Sequence, residues 1–177
     1  VIHTVLVFAF LCGVGIAVAG QFVAQPLLEA MKTPGDTLNL AVEYIRIYFA
    51  GMPFVMIYNF GSAILRSKGD TRRPLYCLIF SGIINVILNL VFVIYFDMSV
   101  SGVATATLIA NAVSSVFIIK FLAAEEGEFR LHFKKLKIRK AQLSKILQVG
   151  LPAGVQGMVF SLANILIQVA INGFGSD

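Results

Sequence analysis

Charge is scarce in this chain: Lys, Arg, Asp and Glu make up 13% of 177 residues, against 58% hydrophobic residues and a mean hydropathy of +0.88. A soluble domain of this size has too little interior to hide so much apolar surface, so lipid must serve as part of its solvent. Cysteine is nearly absent. Cys12 and Cys77 both fall within apolar stretches, where a thiol acts as a small hydrophobe and no disulfide geometry is implied. Histidine is equally sparse, and His3 and His132 are far apart in sequence, so no Cys/His cluster has metal-ligand spacing. No glycine-rich phosphate loop follows a strand, and no carboxylate pair lies inside an apolar stretch. These absences argue against an enzyme and against a metal or organic cofactor.

What is present is a set of five long apolar stretches, at residues 1–23, 44–65, 75–96, 100–124 and about 146–172. About 20 helical residues at roughly 1.5 Å rise cross a hydrocarbon core, so each stretch can span a membrane. The expected fold class is an all-α membrane protein, a polytopic bundle with five transmembrane helices. Of the 14 Lys and Arg residues, 12 sit in two connections or their margins, residues 66–74 and 120–145. The alternate connections, 29–37 and 97–99, carry Glu29, Lys32, Asp36 and Asp97. Basic connections stay in the cytoplasm, so Val1, 66–74 and 120–145 are expected inside and Asp177 outside. The formal charge of +5 is therefore sorted by connection rather than gathered on one face, and no nucleic-acid partner is expected. The chain opens on Val1 inside one span and stops just past another, which reads as an internal piece of a longer protein.

Within the spans, three kinds of feature stand out. The first is a set of helix-break candidates. Gly51 and Pro53 lie near the middle of the second span, where Pro53 leaves the Phe49 carbonyl without its usual donor. Pro152, after Gly150, is expected to separate the last span from what precedes it, and the first span is expected to end near Gln25-Pro26, with Thr33-Pro34-Gly35-Asp36 turning a helical hairpin. The second feature is a run of small residues, Gly102, Ala106 and Ala110, at four-residue spacing, a face on which another helix can pack closely. The third is a basic stretch, 129–145, that alternates apolar with cationic residues and reads as an arm lying on the inner membrane surface against lipid.

Uncharged polar residues also recur at helical spacing. Ser81, Asn85 and Asn89 form one stripe, Thr107, Asn111 and Ser115 a second, and Ser161, Asn164, Gln168 and Asn172 a third. Buried amides are costly when unpaired, so such stripes face other helices or a watery cavity that could hold a polar or cationic organic solute. Tyr58, Asn59 and Ser62 are further candidates for a solute path. Glu43 and Arg46, at i and i+3, are expected to pair, with Arg46 reaching toward the interface.

The order of several motifs resembles the multidrug and toxic compound extrusion (MATE) family. It rests on Pro26-Leu-Leu with Met31, Thr33-Pro34 and Asp36; on Tyr44-Ile-Arg-Ile-Tyr-Phe-Ala-Gly-Met-Pro-Phe54; and most of all on Tyr58-Asn-Phe-Gly-Ser-Ala-Ile-Leu-Arg-Ser-Lys-Gly-Asp-Thr-Arg-Arg-Pro74. Asn85-Val-Ile-Leu-Asn89, Gly102-Val-Ala-Thr-Ala-Thr107 and Gly150-Leu-Pro-Ala-Gly-Val-Gln156 continue the match. The resemblance implies a twelve-helix antiporter of two lobes, of which this chain supplies helices three to seven. Residues 1–124 would be part of the first lobe, 125–145 the basic cytoplasmic connection and 146–177 the first helix of the second lobe. It further implies export of organic cations or amphiphiles across the cell's inner (plasma) membrane in exchange for H+ or Na+, with the remaining helices as partners. Some branches of the family carry a glutamate in helix seven; here that stretch reads Met158-Val-Phe-Ser-Leu162. Two other readings stay open, a flippase of lipid or polysaccharide intermediates and a membrane scaffold whose basic arm recruits partners.

Overall fold

The computed structural model describes residues 1–30, 35–132 and 137–174, with side chains throughout except at 35, 36, 128, 165, 166 and 168–174. Its helices are α1 (Ile2–Ala30), α2 (Gly35–Ala50), α3 (Met52–Ser67), α4 (Arg72–Leu90), α5 (Ser99–Ala124) and α6 (Lys140–Phe174). A π-turn at Val91–Tyr95 prolongs α4, and a 3-10 turn at Gly127–Phe129 follows α5. No strand occurs among the described residues. Lengthened by its π-turn, α4 is long and apolar enough to cross a membrane, as are α1, α5 and α6, while α2 and α3 qualify as one span bent by 44°. That makes five crossings, the number that the alternation of basic connections requires.

The bend falls at Gly51 and Pro53. Proline has no N–H to give the Phe49 carbonyl, so the helical ladder restarts one residue earlier. The Gly51 N–H is shared between the carbonyls of Ile47 (3.3 Å) and Tyr48 (3.1 Å), and the Gly51 carbonyl receives the N–H groups of Phe54 (3.0 Å) and Val55 (3.2 Å). Two glycines of α1 make room for it. A Cβ on Gly13 would lie 2.5 Å from Pro53 Cα, and one on Gly20 would lie 2.1 Å from Phe49 Cγ. Separated by seven residues, they occupy one face of α1 two turns apart, and α1 packs there on both α2 and α3.

Helix α5 packs against α2, α3 and α4. Gly102, Ala104, Ala106 and Ala110 are all buried. At Gly102 an added Cβ would meet Phe92 Cβ at 3.1 Å, so the small-residue run does admit the end of α4. Close van der Waals contact of this kind carries helix association in lipid, where the surroundings are as apolar as the side chains.

Two expected helix ends are absent. α1 continues through Pro26 to Ala30 and α6 through Pro152 to Phe174, so neither proline ends its helix. Each costs one backbone bond, which the turns on either side can carry, and membrane helices tolerate proline on those terms. The 35 residues of α6 would extend about 52 Å at 1.5 Å rise, more than the roughly 30 Å hydrocarbon core. Lys140 and Lys145 therefore belong to this helix rather than to an arm before it. The turn at Thr33-Pro34 lies outside the described residues.

The chain forms two compact units, Val1–Lys137 and Ile138–Asp177. In the first, Ile2, Leu6, Ile64, Leu65, Cys77, Ile118, Leu122 and Leu131 form a buried cluster that gathers the start of α1, the end of α3, the start of α4 and the end of α5. The 66–74 connection, the start of the 120–145 connection and the chain start thus share one end of the unit, here called the basic end. The second unit is α6, whose described side chains between Gly150 and Asn164 are exposed.

Candidate functional site

The two polar stripes of α4 and α5 meet across a helix interface. Asn85 Nδ2 donates to Thr107 Oγ1 (3.3 Å), Asn89 Nδ2 donates to Asn85 Oδ1 (3.0 Å), and Thr107 Oγ1 donates to the Val103 carbonyl (2.9 Å). This chain of bonds ends on an orphan. Asn89 Oδ1 is buried and has no hydrogen-bond partner. An amide oxygen left without a donor in a low-dielectric interior costs about 1–3 kcal/mol, so the seam keeps one strong acceptor in reserve. The π-turn at Val91–Tyr95 begins two residues further on. There Phe96 N–H bonds to the Val91 carbonyl (3.2 Å), five residues back rather than four, which widens that turn of the helix.

Not every stripe residue joins the seam. Ser81 and Ser115 are buried and return their hydroxyls to their own helices, to the carbonyls of Leu78 (3.2 Å) and Ala112 (2.7 Å). Asn111 is half-buried one turn along α5 from Thr107 and takes no part in these bonds. On α3 the candidates separate. The Tyr58 hydroxyl donates to the Pro74 carbonyl (3.1 Å), which fastens α3 to the first turn of α4, and Asn59 is exposed. Ser62 is fully buried and its hydroxyl has no partner. Asn164 is exposed on α6, while the side chains of Gln168 and Asn172 lie outside the described set. The structure thus unites Asn85, Asn89 and Thr107, while Ser81, Ser115, Asn111, Tyr58, Asn59 and Ser62 take no part in that set of bonds.

At the opposite end, Glu43 and Arg46 are both exposed and form no ion pair with each other, against the expectation. Glutamines of α1 occupy this region instead. Gln21 Nε2 donates to the Arg46 carbonyl (2.9 Å) and Gln25 Nε2 to Glu29 Oε1 (2.9 Å). With Asn39, Glu43 and Arg46, Gln25 lines a cavity of about 350 Å³ between α1 and α2. Gln21, Gln25 and Glu29 stand at i, i+4 and i+8, a helical spacing legible in the sequence.

The basic end is built on a carboxylate that composition alone would assign to a solvated loop. Glu125 is 6% exposed, and its two oxygens receive Lys68 Nζ and Arg73 Nη1. The Lys68 hydrogen bond, and behind it that of Arg73, holds the Glu125 carboxyl below the usual carboxylate range against the opposing cost of burial. Both cations also lie 5.8 Å from aromatic centroids, Lys68 from Phe129 and Arg73 from Phe121. Local chemistry sets the loop. Gly69 takes φ +90°, with its N–H on the Arg66 carbonyl (2.9 Å) and the Asp70 N–H on the Leu65 carbonyl (3.1 Å), the pair of bonds that closes a Schellman end. Asp70 Oδ1 then accepts the N–H groups of Arg72 (3.1 Å) and Arg73 (3.2 Å) and caps α4.

The connection after α5 is not a free arm at its start. Leu131 is buried and its N–H bonds to the Leu122 carbonyl (2.9 Å); His132 N–H bonds to His3 Nε2 (3.0 Å); Thr4 Oγ1 donates to the Lys137 carbonyl (3.1 Å). The two histidines, distant in sequence, stack with centroids 6.3 Å apart. No group of three or more His, Cys, Asp or Glu residues able to hold a metal occurs among the described residues.

Comparison with known proteins points one way. The family model described as MatE matches residues 1–91. The chain is 32% identical to the "Probable multidrug resistance protein YoeA" of Bacillus subtilis (strain 168), over 100% of its own length and 40% of the relative's. It also superposes on two solved conformations of a multidrug resistance MATE family transporter of the MOP superfamily. The outward-facing one gives a TM-score of 0.80 at 28% identity, over 90% of this chain and 36% of that one. The inward-facing one gives 0.73 at 29%, over 83% and 34%. The chain therefore spans about 40% of the curated relative's length.

Proposed function

The chain belongs to the MatE family, and from that membership we propose that the whole protein is a secondary active exporter that moves organic cations or amphiphiles outward by alternating access. The coupling ion is H+ or Na+. Residues 1–124 form part of one six-helix lobe, residues 125–145 the connection, whose last six residues already belong to α6, and residues 146–177 the first helix of a second lobe, so that twelve helices make up the whole. The basic end faces the cytoplasm and the protein resides in the plasma membrane.

The observation that carries this reading is the polar seam of Asn85, Asn89 and Thr107 with its unpaired Asn89 oxygen. Uncharged oxygens in an apolar surround can take a desolvated cation weakly and give it up again, as an exporter needs and a structural hydrogen bond does not. Asn111, on the same stripe of α5, extends that path. Ser81, Tyr58, Asn59 and Ser62 are further candidates for it, and Asn164 and Gln168 are separate candidates on α6, in the second unit. A flippase for phosphate-bearing intermediates would need cations deep in its spans. Among the described residues the one Lys or Arg within an apolar stretch and away from the basic connections is Arg46, which stands near the outer end of the second stretch and is exposed. The test is efflux of a fluorescent organic cation from vesicles holding the whole protein, with proton and sodium gradients imposed separately. Efflux driven by one gradient supports the exporter and names its ion, whereas folded protein that moves none of several cations under either gradient refutes it.

A further inference from the structure

The clamp at Glu125 consumes two cations and leaves others unpaired. Arg66, Arg72, Lys120 and Arg130 are exposed, and none of the four forms an ion pair among the described residues. They also share one end of the unit. Arg72 adjoins Arg73, and Lys120 adjoins Phe121; the Arg73 guanidinium lies 5.8 Å from the Phe121 ring. Arg130 adjoins Phe129, whose ring lies 5.8 Å from the Lys68 ammonium, and Arg66 is two residues from Lys68. Each unpaired cation thus stands within two residues of one fixed in the clamp, at the end of the unit where α3, α4 and α5 come together.

The four stand at or beside helix ends. α3 ends at Ser67, α4 begins at Arg72 and α5 ends at Ala124, so the cations mark the rim of three membrane helices. Tyr76, one turn inward from Arg72 and 53% exposed, places an amphipathic ring at the same level. We propose that Arg66, Arg72, Lys120 and Arg130 form a docking surface for the phosphate of an anionic phospholipid headgroup, with Tyr76 against the upper acyl chain. Four unpaired cations match a surface of anionic headgroups, each contributing through attraction to the lipid charge. Because Glu125 already satisfies Lys68 and Arg73, a lipid need not compete with an internal carboxylate. The proposal depends on the membrane placement of this end and not on the transport reading.

The test uses the purified whole protein in neutral detergent, titrated with phosphatidylglycerol, phosphatidylcholine, inorganic phosphate or polyglutamate. Thermal stability and the number of lipids retained in native mass spectra are both read. Phosphatidylglycerol is expected to raise the melting temperature and be retained where phosphatidylcholine is not. Neutralisation by Arg66→Gln, Arg72→Gln, Lys120→Gln and Arg130→Gln is expected to weaken retention about fivefold per cation removed. Arg46→Gln, which lowers net charge at the opposite end of the same unit, should leave retention unchanged. Single substitutions replace the fourfold variant if it does not fold. Equal stabilisation by inorganic phosphate, protection by polyglutamate instead of lipid, or equal loss in the Arg46 control would each overturn the proposal.

Discussion

Single residues decide how closely these helices approach. Gly13 leaves no space for a methyl group, because the atom that an added Cβ would strike is the Pro53 backbone rather than a side chain able to move. Gly13→Ala should lower stability by about 1–3 kcal/mol, the usual cost of overpacking. Gly82→Ala is the matched control, since nothing lies within 4 Å of a Cβ there, and it should be neutral or slightly stabilising in thermal unfolding in detergent. Asn85 poses a different question. Asn85→Leu removes its donated bond to Thr107 and the acceptor of Asn89, and interhelical bonds in lipid average only about 0.6 kcal/mol. Its melting temperature should fall by a few degrees at most. A collapse of the fold would show that the seam is structural glue.

Between elements, the Glu125 clamp ties the α3–α4 loop to the end of α5. The sign of its pH dependence follows from the direction of the shift. A carboxyl whose folded pKa is depressed contributes stability that is fully present above its unfolded value, near pH 4.3, and is lost as pH falls through the folded value below it. Glu125→Gln should flatten that acid limb and cost about 1 kcal/mol at neutral pH, a modest figure because both cations remain partly in water. Thermal melts between pH 3 and 7 read both effects; an unchanged acid limb would contradict the clamp.

Much of this level was open to sequence reading, and the misses share a cause. The Gly51-Pro53 bend and the Gly102/Ala106/Ala110 face follow from backbone chemistry and spacing, so they were predictable. The Asn85–Asn89 bond follows from i and i+4 spacing, but the Thr107 partner depends on how α4 and α5 turn toward each other. Pro26 and Pro152 misled because a lone proline costs only one bond inside a long membrane helix. Glu125, flanked by Glu126 and followed by a basic run, looks solvated until the fold brings Lys68 and Arg73 over it. The His3–His132 contact joins residues whose separation in sequence gives no sign of it.

For the whole molecule, sorting of charge by connection predicts sidedness. With Cys12 and Cys77 replaced by alanine, Ser67→Cys should react with an impermeant thiol reagent only after cells are opened, and Asn39→Cys should react in intact cells; the reverse pattern would invert the proposed orientation. The account stands most directly on the seam between α4 and α5. The deciding measurement is the initial rate of organic-cation efflux by the whole protein carrying Asn85→Leu and Asn89→Leu, in energised vesicles at matched abundance and melting temperature. Transport lost from a folded, correctly inserted protein is the expected result, and transport retained at the original rate would contradict the claim that these amides line the solute path.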